Sequence, residues 1–150
     1  MELRTGSSES TLDDKGRVSV PVRFREQFHG DLMITRSVVD PCVWILTQGA
    51  WEVFKRNMSN SGEFTKEEKR FFKDTVIDLG EEVKLDKAGR IAIPSALRGY
   101  ANLTKECIVI SAGDRLSIWD AGEFNAYIKE NKPTAKAALN KLSSDMFSAS

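Results

Sequence analysis

Two short segments of this sequence combine a carboxylate and an arginine at the same spacing. Asp13 precedes Arg17 by four residues, and Asp86 precedes Arg90 by four residues. An aspartate this close to an arginine can form an ion pair that steadies a turn, which at an exposed site contributes only ~0–1 kcal/mol. The same carboxylate can also orient the arginine towards a phosphate or a guanine, because a guanidinium donates several hydrogen bonds in one plane. The two interpretations are compatible, and the spacing alone favours neither.

The other reactive residue types are too sparse for catalysis or metal binding. His29 is the single histidine, and Cys42 and Cys107 are far apart and outside any CxxC pair. A zinc site with several histidines is therefore excluded, and the cysteines are expected to be buried apolar side chains in a reducing compartment. Gly16 and Gly89 stand alone, so no phosphate-cradling glycine loop is present. We expect neither an enzyme nor a bound cofactor or metal.

The segments around the two Asp–Arg pairs are copies of each other. A constant offset of 73 residues places residues 12–25 on residues 85–98, and six of the fourteen aligned pairs are identical. Unrelated segments of average composition would share about one. The identical pairs are Leu12/Leu85, Asp13/Asp86, Gly16/Gly89, Arg17/Arg90, Pro21/Pro94 and Arg25/Arg98. The chain therefore contains an internal duplication, and at 150 residues its halves are expected to share one core.

Each copy predicts a strand, a tight turn, a second strand and the start of a helix. In the turn, the aspartate can accept a backbone N–H and the glycine can adopt a positive φ. The predicted turn residues are Asp13, Gly16, Asp86 and Gly89. Alternation along the next strand directs the arginine outwards and the β-branched residues inwards. The predicted core residues are Val18, Val20, Ile91 and Ile93. Pro21 and Pro94 should end these strands and preset φ for a first helical turn.

Helix-start patterns mark the elements that follow the motif. In each copy an apolar strand leads into a helix, which we expect to be capped by Thr47 in the first copy and by Asp120 in the second. Between the copies, Thr65 and Glu68 have the spacing of a capping box, and Gly80 suits the position just past a helix end. Near the C-terminus, Leu139, Leu142 and Met146 recur at helical spacing.

These elements predict four units along the chain. We expect a first repeat over residues 6–58, a linking helix over 59–80, a second repeat over 81–130 and a tail over 131–150. The tail is rich in alanine, lysine and serine, which predicts either a marginal helix or disorder.

The motifs Asp13–Arg17 and Asp86–Arg90 resemble those of the MraZ family of bacterial transcriptional regulators, within the AbrB-like swapped-hairpin superfamily. The resemblance runs from about Gly6 to Tyr127 and includes the Ile-Trp-Asp segment that ends at Asp120. It implies an α+β fold, in which two tandem AbrB-like swapped-hairpin halves interlock into one barrel-like β core with flanking helices.

The resemblance also implies a function and a set of DNA-binding residues. MraZ-like proteins assemble into ring-shaped homo-oligomers and bind short direct repeats in double-stranded DNA. These repeats lie upstream of the cell-division and cell-wall gene cluster that contains their own gene. Carried over to this chain, the DNA-facing residues are Lys15, Arg17, Lys87 and Arg90. Lys15 and Lys87 occupy different turn positions, so equal contacts from the two copies are not expected.

Charge and hydropathy leave two alternatives open. Lysine plus arginine and aspartate plus glutamate both number 22, so any basic surface must be local. A ring-forming scaffold that makes only protein–protein contacts fits this balance, and an AbrB-type antitoxin is disfavoured because such chains usually carry one hairpin unit.

The N-terminus lacks the apolar stretch of a secretory signal, and no apolar run approaches the ~18 residues of a membrane span. We therefore expect a cytoplasmic, nucleoid-associated protein without a membrane segment or a small-molecule ligand.

Overall fold

Four secondary-structure elements of the first half start again 73 residues later: the strands that start at Arg17 and Cys42 recur at Arg90 and Arg115, and the helices that start at Val22 and Gln48 recur at Ser95 and Ala121. The structure is a computed structural model that describes residues 5–142. The N-terminal residues 1–4, on which part of the secretory-signal expectation rests, and the tail residues 143–150, with Met146, lie outside this range. The strands of the described range are β1 (Thr5–Thr11), β2 (Arg17–Ser19), β3 (Leu32–Arg36), β4 (Cys42–Thr47), β5 (Glu81–Val83), β6 (Arg90–Ala92), β7 (Glu106–Ala112) and β8 (Arg115–Asp120). The α-helices of this range are α1 (Val22–Arg25), α2 (Gln48–Asn60), α3 (Lys66–Phe72), α4 (Ser95–Tyr100) and α5 (Ala121–Leu139), and a π-helical turn, Lys73–Ile77, follows α3.

The strands form two antiparallel sheets, and both sheets mix the two halves of the chain. The larger sheet has the order β1-β7-β8-β4-β3-β5, and the smaller one pairs β2 with β6. Strand β1 of the first half pairs with β7 of the second, while β5 of the second half pairs with β3 of the first. The halves therefore interlock through exchanged strands, and the sheet order reads the same from both edges once each strand is replaced by its copy.

The predicted mixed α+β fold is confirmed, but the described strands do not form the closed barrel implied by the resemblance. In residues 5–142, β1 and β5 are the two edges of an open six-stranded sheet. The two-stranded sheet packs over it instead of closing it, because the inner residues of both sheets belong to one buried cluster. The AbrB-like swapped-hairpin classification stays a prediction.

The strand faces of the repeated motif are as predicted. Val18 and Ile91 are completely buried and lie opposite each other in the β2–β6 pair, whereas Ser19 and Ala92 are exposed. Each fully buried Val or Ile contributes roughly 1.5–3 kcal/mol relative to an exposed side chain. Burial of these side chains therefore fixes which side of β2 and β6 faces solvent.

The predicted helix starts are confirmed. The Thr47 hydroxyl accepts the backbone N–H of Ala50, and Asp120 accepts that of Glu123. Burial alone would raise the pKa of Asp120, but hydrogen bonds from Thr104 and from backbone N–H groups outweigh it and lower that pKa. Within the linking segment, helix α3 begins at the predicted capping box, in which Thr65 and Glu68 exchange hydrogen bonds.

Three local predictions need correction. Gly80 is not a left-handed residue at a helix end; a Cβ built on it would lie 2.9 Å from the Trp51 ring, so close packing explains the glycine. Pro21 and Pro94 precede α1 and α4 with extended ψ angles of 141° and 144°, so they lie just outside the helices. Helix α5 runs through Pro133 to Leu139, so residues 131–139 are helical and the boundary drawn at residue 130 lies inside it.

Candidate nucleic-acid interface

The aspartate of each motif organises its turn through backbone hydrogen bonds. Oδ1 of Asp13 accepts the N–H groups of Lys15 (2.9 Å) and Arg17 (2.8 Å), and Asp86 accepts those of Ala88 and Arg90 (both 2.9 Å). The backbone N–H of the arginine is the main cause that holds the pKa of each aspartate below its ordinary value. The carboxylates are therefore ionised at neutral pH.

The turn glycines adopt the positive φ that the sequence predicts. Gly16 has φ of 76° and Gly89 has φ of 79°, a region in which a side chain would be strained. Each glycine N–H also donates to the backbone oxygen of the aspartate three residues earlier. The two copies of the turn therefore have the same closed backbone geometry.

The second carboxylate oxygen of each aspartate binds the motif arginine. Arg17 Nε donates to Asp13 Oδ2 at 2.7 Å, and Arg90 Nε donates to Asp86 Oδ2 at 2.8 Å. The arginine side chains remain 28% and 35% exposed. Within residues 5–142 neither Arg17 nor Arg90 has a further side-chain hydrogen bond, so the terminal guanidinium N–H groups are available to a ligand. The predicted ion pair is therefore present in both copies, and it also orients the side chain of each arginine.

The two motif arginines lie on one face of a two-stranded ribbon. In the β2–β6 pair, Arg17 is opposite Ala92 and Arg90 is opposite Ser19. The intervening Val18/Ile91 pair points to the core, so these four residues share the solvent face. Arg17 and Arg90 are diagonal neighbours on this face, which places their Cα atoms about 7–8 Å apart. The fold thus brings together two arginines that are 73 residues apart in sequence.

The predicted lysines flank the ribbon but add little net charge. Lys15 and Lys87 are exposed in the two turns, at different turn positions as expected. Segments 13–17 and 86–90 carry four basic and three acidic side chains, which leaves a net charge of +1. Such a surface can bind an anionic group through directed hydrogen bonds, but it lacks the strongly basic field that drives non-specific binding to nucleic acid.

The structure adds two residues that the sequence did not place in this site, Arg25 and Arg98. Each covers the turn of the other repeat: Arg25 lies against Gly89, and Arg98 lies against Gly16. Both glycines are buried as a result, although they belong to surface turns. The signal in the sequence was that Arg25 and Arg98 are an identical pair of the duplication. Nothing in the sequence alone indicates the contact with the opposite turn.

The potential metal ligands and the two cysteines are the other groups of the described range that could do chemistry. Residues 5–142 contain no group of three or more His, Cys, Asp or Glu side chains that could hold a metal ion. Both cysteines are buried, and burial raises the pKa of Cys42 to about 12 and that of Cys107 to about 11. The thiols therefore stay protonated at neutral pH and are poor nucleophiles.

An open apolar groove lies on a different part of the surface. It has a volume of about 640 Å³ and lies between α2, α3 and the neighbouring strands β4 and β8 of the large sheet. Its apolar lining includes Trp44, Val53, Phe54, Phe64 and Phe72. The guanidinium of Arg115 also lines it and lies 5.0 Å from the centre of the Trp44 ring. The second repeat has a groove at equivalent positions, but Glu123 and Glu130 make it more polar.

Comparison with known proteins gives one consistent result. Residues 3–74 and 80–144 match the model of a family described as "MraZ protein, putative antitoxin-like". A Transcriptional regulator MraZ from Treponema denticola is 34% identical over 139 residues, which is 92% of this chain and 96% of that protein. A protein of the same name from Saccharopolyspora erythraea is 35% identical over 95% of this chain and 98% of that protein. Another from Spiroplasma kunkelii is 33% identical over 90% of this chain and 94% of that protein.

Among residues 5–142, none of the helices combines the length and the hydropathy that a membrane span requires.

Proposed function

The chain belongs to the MraZ family, and from this premise we propose that it is a sequence-specific, DNA-binding transcriptional regulator. Its DNA-binding residues are Lys15, Arg17, Lys87 and Arg90. The main support for the proposal is the β2–β6 ribbon. Its solvent face presents two arginines, each oriented by the carboxylate of the aspartate in its own turn. A two-stranded antiparallel ribbon fits the major groove of B-DNA, where an arginine recognises guanine through O6 and N7.

The residues of the interface divide by role. Arg17 and Arg90 read base edges, since Asp13 and Asp86 fix their Nε atoms and leave the outer N–H groups free. Lys15 and Lys87 contact phosphates, because a lysine at a turn is a mobile point charge that suits the backbone of the duplex. The turns set the ends of the ribbon and so the register on the DNA.

The target sites are short direct repeats in the promoter of the protein's own cell-division and cell-wall gene cluster, which the protein represses. One chain offers few phosphate contacts, and contacts of this number bind weakly at physiological salt. A ring-shaped homo-oligomer that engages several repeats at once overcomes this weakness, because later contacts become intramolecular. The exposed apolar groove supports self-assembly, since an apolar patch of this kind marks an interaction surface. The protein therefore acts in the cytoplasm, on the nucleoid.

The architecture that we propose consists of an AbrB-like swapped-hairpin half over residues 6–58, a linking segment over 59–80 and a second half from residue 81, which helix α5 extends to Leu139. The exchange of β1 and β5 between the halves supports this division, because each half completes the sheet of the other. In this arrangement the ribbon exists only when both halves are folded together.

The test is binding of the purified full chain to a duplex from its own upstream region. We expect a shifted, saturable complex that a scrambled duplex of equal length does not form, and a double substitution, Arg17→Ala with Arg90→Ala, should abolish the preference. A promoter–reporter fusion in cells should lose expression when the intact chain is supplied and keep it when the double variant is supplied.

A second candidate function is a ring-forming scaffold, which the apolar groove favours. In that case Phe54→Glu should disrupt assembly, measured by sedimentation velocity, while the wild-type protein should show the same affinity for the upstream and scrambled duplexes. Preference of the wild-type chain for the upstream duplex would exclude a purely protein-binding role.

A further inference from the structure

We propose that Arg25 and Arg98 are positioning residues of the DNA-contacting turns, each holding the turn of the opposite repeat. Arg98 of α4 holds the turn that presents Lys15 and Arg17, and Arg25 of α1 holds the turn that presents Lys87 and Arg90. The proposal rests on the DNA-binding function proposed above. It adds the mechanism by which one repeat controls the contacts of the other.

Three contacts tie Arg98 to the first turn. Nη1 of Arg98 donates to the backbone oxygen of Ile93 at 2.5 Å, at the end of its own strand. The N–H of Ile93 donates in turn to the backbone oxygen of Gly16 at 2.9 Å. The guanidinium then covers Gly16 itself, where a Cβ would lie only 2.8 Å from Cζ of Arg98. Gly16 is therefore held at its carbonyl oxygen and at its Cα.

The same three contacts occur in the other direction. Nε of Arg25 donates to the backbone oxygen of Val20 at 2.7 Å, and the N–H of Val20 donates to the backbone oxygen of Gly89 at 2.9 Å. A Cβ on Gly89 would lie 2.6 Å from Nη2 of Arg25 and would overlap the rest of the guanidinium. The reciprocity follows from the antiparallel pairing of β2 with β6, which places each turn beside the strand end of the other half.

This geometry gives the turn glycines a second reason to lack a side chain. Their positive φ already disfavours a Cβ, and the guanidinium occupies the space that a Cβ would need. Because Gly16 directly precedes Arg17, a turn that shifts at Gly16 moves the origin of the base-reading side chain. A flat guanidinium can donate to a carbonyl and cover a glycine at once, whereas the ammonium of lysine has no planar face.

The inference predicts a crossed pattern of energetic coupling. Arg98→Ala should weaken binding roughly tenfold in the wild-type background and less than about twofold when Arg17→Ala is already present, since groups that act through one another are not additive. Arg98→Ala combined with Arg90→Ala should instead show nearly the full product of the two effects. Arg25→Ala should show the reverse pattern. Arg23→Ala is the control, because this exposed arginine of α1 contacts the Ser7 carbonyl and not a motif turn.

Amide NMR of the full chain without DNA provides a readout that does not depend on the proposed function. Arg98→Ala should shift the amides of residues 13–17 more than those of residues 86–90, and Arg25→Ala should do the opposite. Arg98→Lys should shift residues 13–17 nearly as much as alanine does, because the charge remains but the planar cover is lost. These substitutions should leave the salt dependence of DNA binding unchanged, since a positioning residue does not itself neutralise a phosphate.

Several results would overturn the inference. Equal coupling of Arg98→Ala to both motif arginines would indicate general destabilisation, and a salt slope reduced by about 0.9 would indicate a direct phosphate contact. Wild-type spectra and affinity for Arg98→Lys would show that charge alone suffices. Crossed amide shifts in a protein that prefers no duplex would keep the positioning role and refute the DNA function instead.

Discussion

Removing the motif arginines one at a time and together tests the proposed interface most directly. Arg17→Ala and Arg90→Ala each delete a guanidinium from the solvent face of the β2–β6 ribbon. The side chains beneath them, Val18 and Ile91, are completely buried and stay in place. We therefore expect a loss of DNA affinity with little change in melting temperature, because the exposed ion pairs that are lost contribute little to folding.

The expected magnitude follows from the hydrogen bonds that remain available. The aspartate uses Nε of each arginine, which leaves four of the five guanidinium N–H donors for a guanine edge. A bidentate contact of this kind discriminates by ~1–3 kcal/mol, so each substitution should weaken specific binding about 5- to 150-fold. The two Cα atoms are about 7–8 Å apart, a separation at which the effects of two substitutions largely add. The double variant should therefore lose about 2–6 kcal/mol.

The diagonal arrangement of the arginines also predicts which base pairs are affected. A separation of about 7–8 Å corresponds to roughly two base pairs along the duplex at 3.4 Å each. Arg17→Ala should relax specificity at one position of the binding site, and Arg90→Ala should relax it about two positions away. Lys15→Ala and Lys87→Ala should instead weaken binding to all DNA sequences alike. Each should also reduce the salt dependence of the binding constant, the slope of log K against log salt concentration, by about 0.9.

Fluorescence anisotropy with a set of single-substituted duplexes, titrated at several salt concentrations, measures these effects. The matched control is Arg70→Ala, which removes an exposed arginine of α3 far from the motifs in sequence and should leave binding unchanged. Wild-type affinity and specificity for Arg17→Ala would refute the base-reading role. A large drop in melting temperature for the same variant would show that the Asp13–Arg17 pair serves the fold.

Four further predictions concern the core, the carboxylates, the thiols and the DNA. Ile93→Asp should lower the free energy of unfolding by several kcal/mol, since it buries an unpaired carboxylate. The matched Ala92→Asp, on the exposed face, should melt like the wild-type protein when unfolding is followed by circular dichroism. Equal melting temperatures of the two variants would mean that the strand faces are reversed. The pKa of Asp86 is lowered in the fold, chiefly by the backbone N–H of Arg90, so its contribution to stability is complete above the unfolded value of about 3.9 and is lost as pH falls through the lower folded value. Asp86→Asn should remove that part of the acid sensitivity in pH-dependent melting curves, and an unchanged curve would contradict the assignment. Because burial raises the pKa of Cys42 to about 12 and that of Cys107 to about 11, iodoacetamide should label both thiols at pH 8 only after unfolding, and mass spectrometry that finds rapid labelling of the native chain would disprove this. Finally, affinity should rise steeply from one to three direct repeats spaced by about 10 base pairs; equal affinity for one and three repeats, with no effect of a half-turn insertion, would exclude multivalent binding.

The local structure of the motif could be read from the sequence because its causes are local. The positive φ of Gly16 and the backbone hydrogen bonds of Asp13 involve residues within one turn. The outward direction of Arg17 follows from strand alternation beside two buried valines. The capping box at Thr65 depends only on the residue three positions later. A single short window of sequence contains all the groups that decide each of these features.

Strand pairing and the contacts that depend on it were decided only by the tertiary structure. Strand β1 contains only small or polar residues and none of them is buried, so its sequence does not distinguish a pairing with β3 of its own half from the observed pairing with β7. From its neighbours in sequence Gly80 was expected to follow a helix end, whereas in the fold its lack of a side chain lets the Trp51 ring pack closely against it. Arg25 likewise shows no sign in its own helix that it covers Gly89, because that glycine is brought there by the pairing of β6 with β2. The sequence by itself determined the duplication, the turns and the inner faces, since backbone geometry and periodicity act over a few residues. Only the fold decided that each half completes the sheet of the other, because this choice depends on burying the apolar faces of both halves in one core.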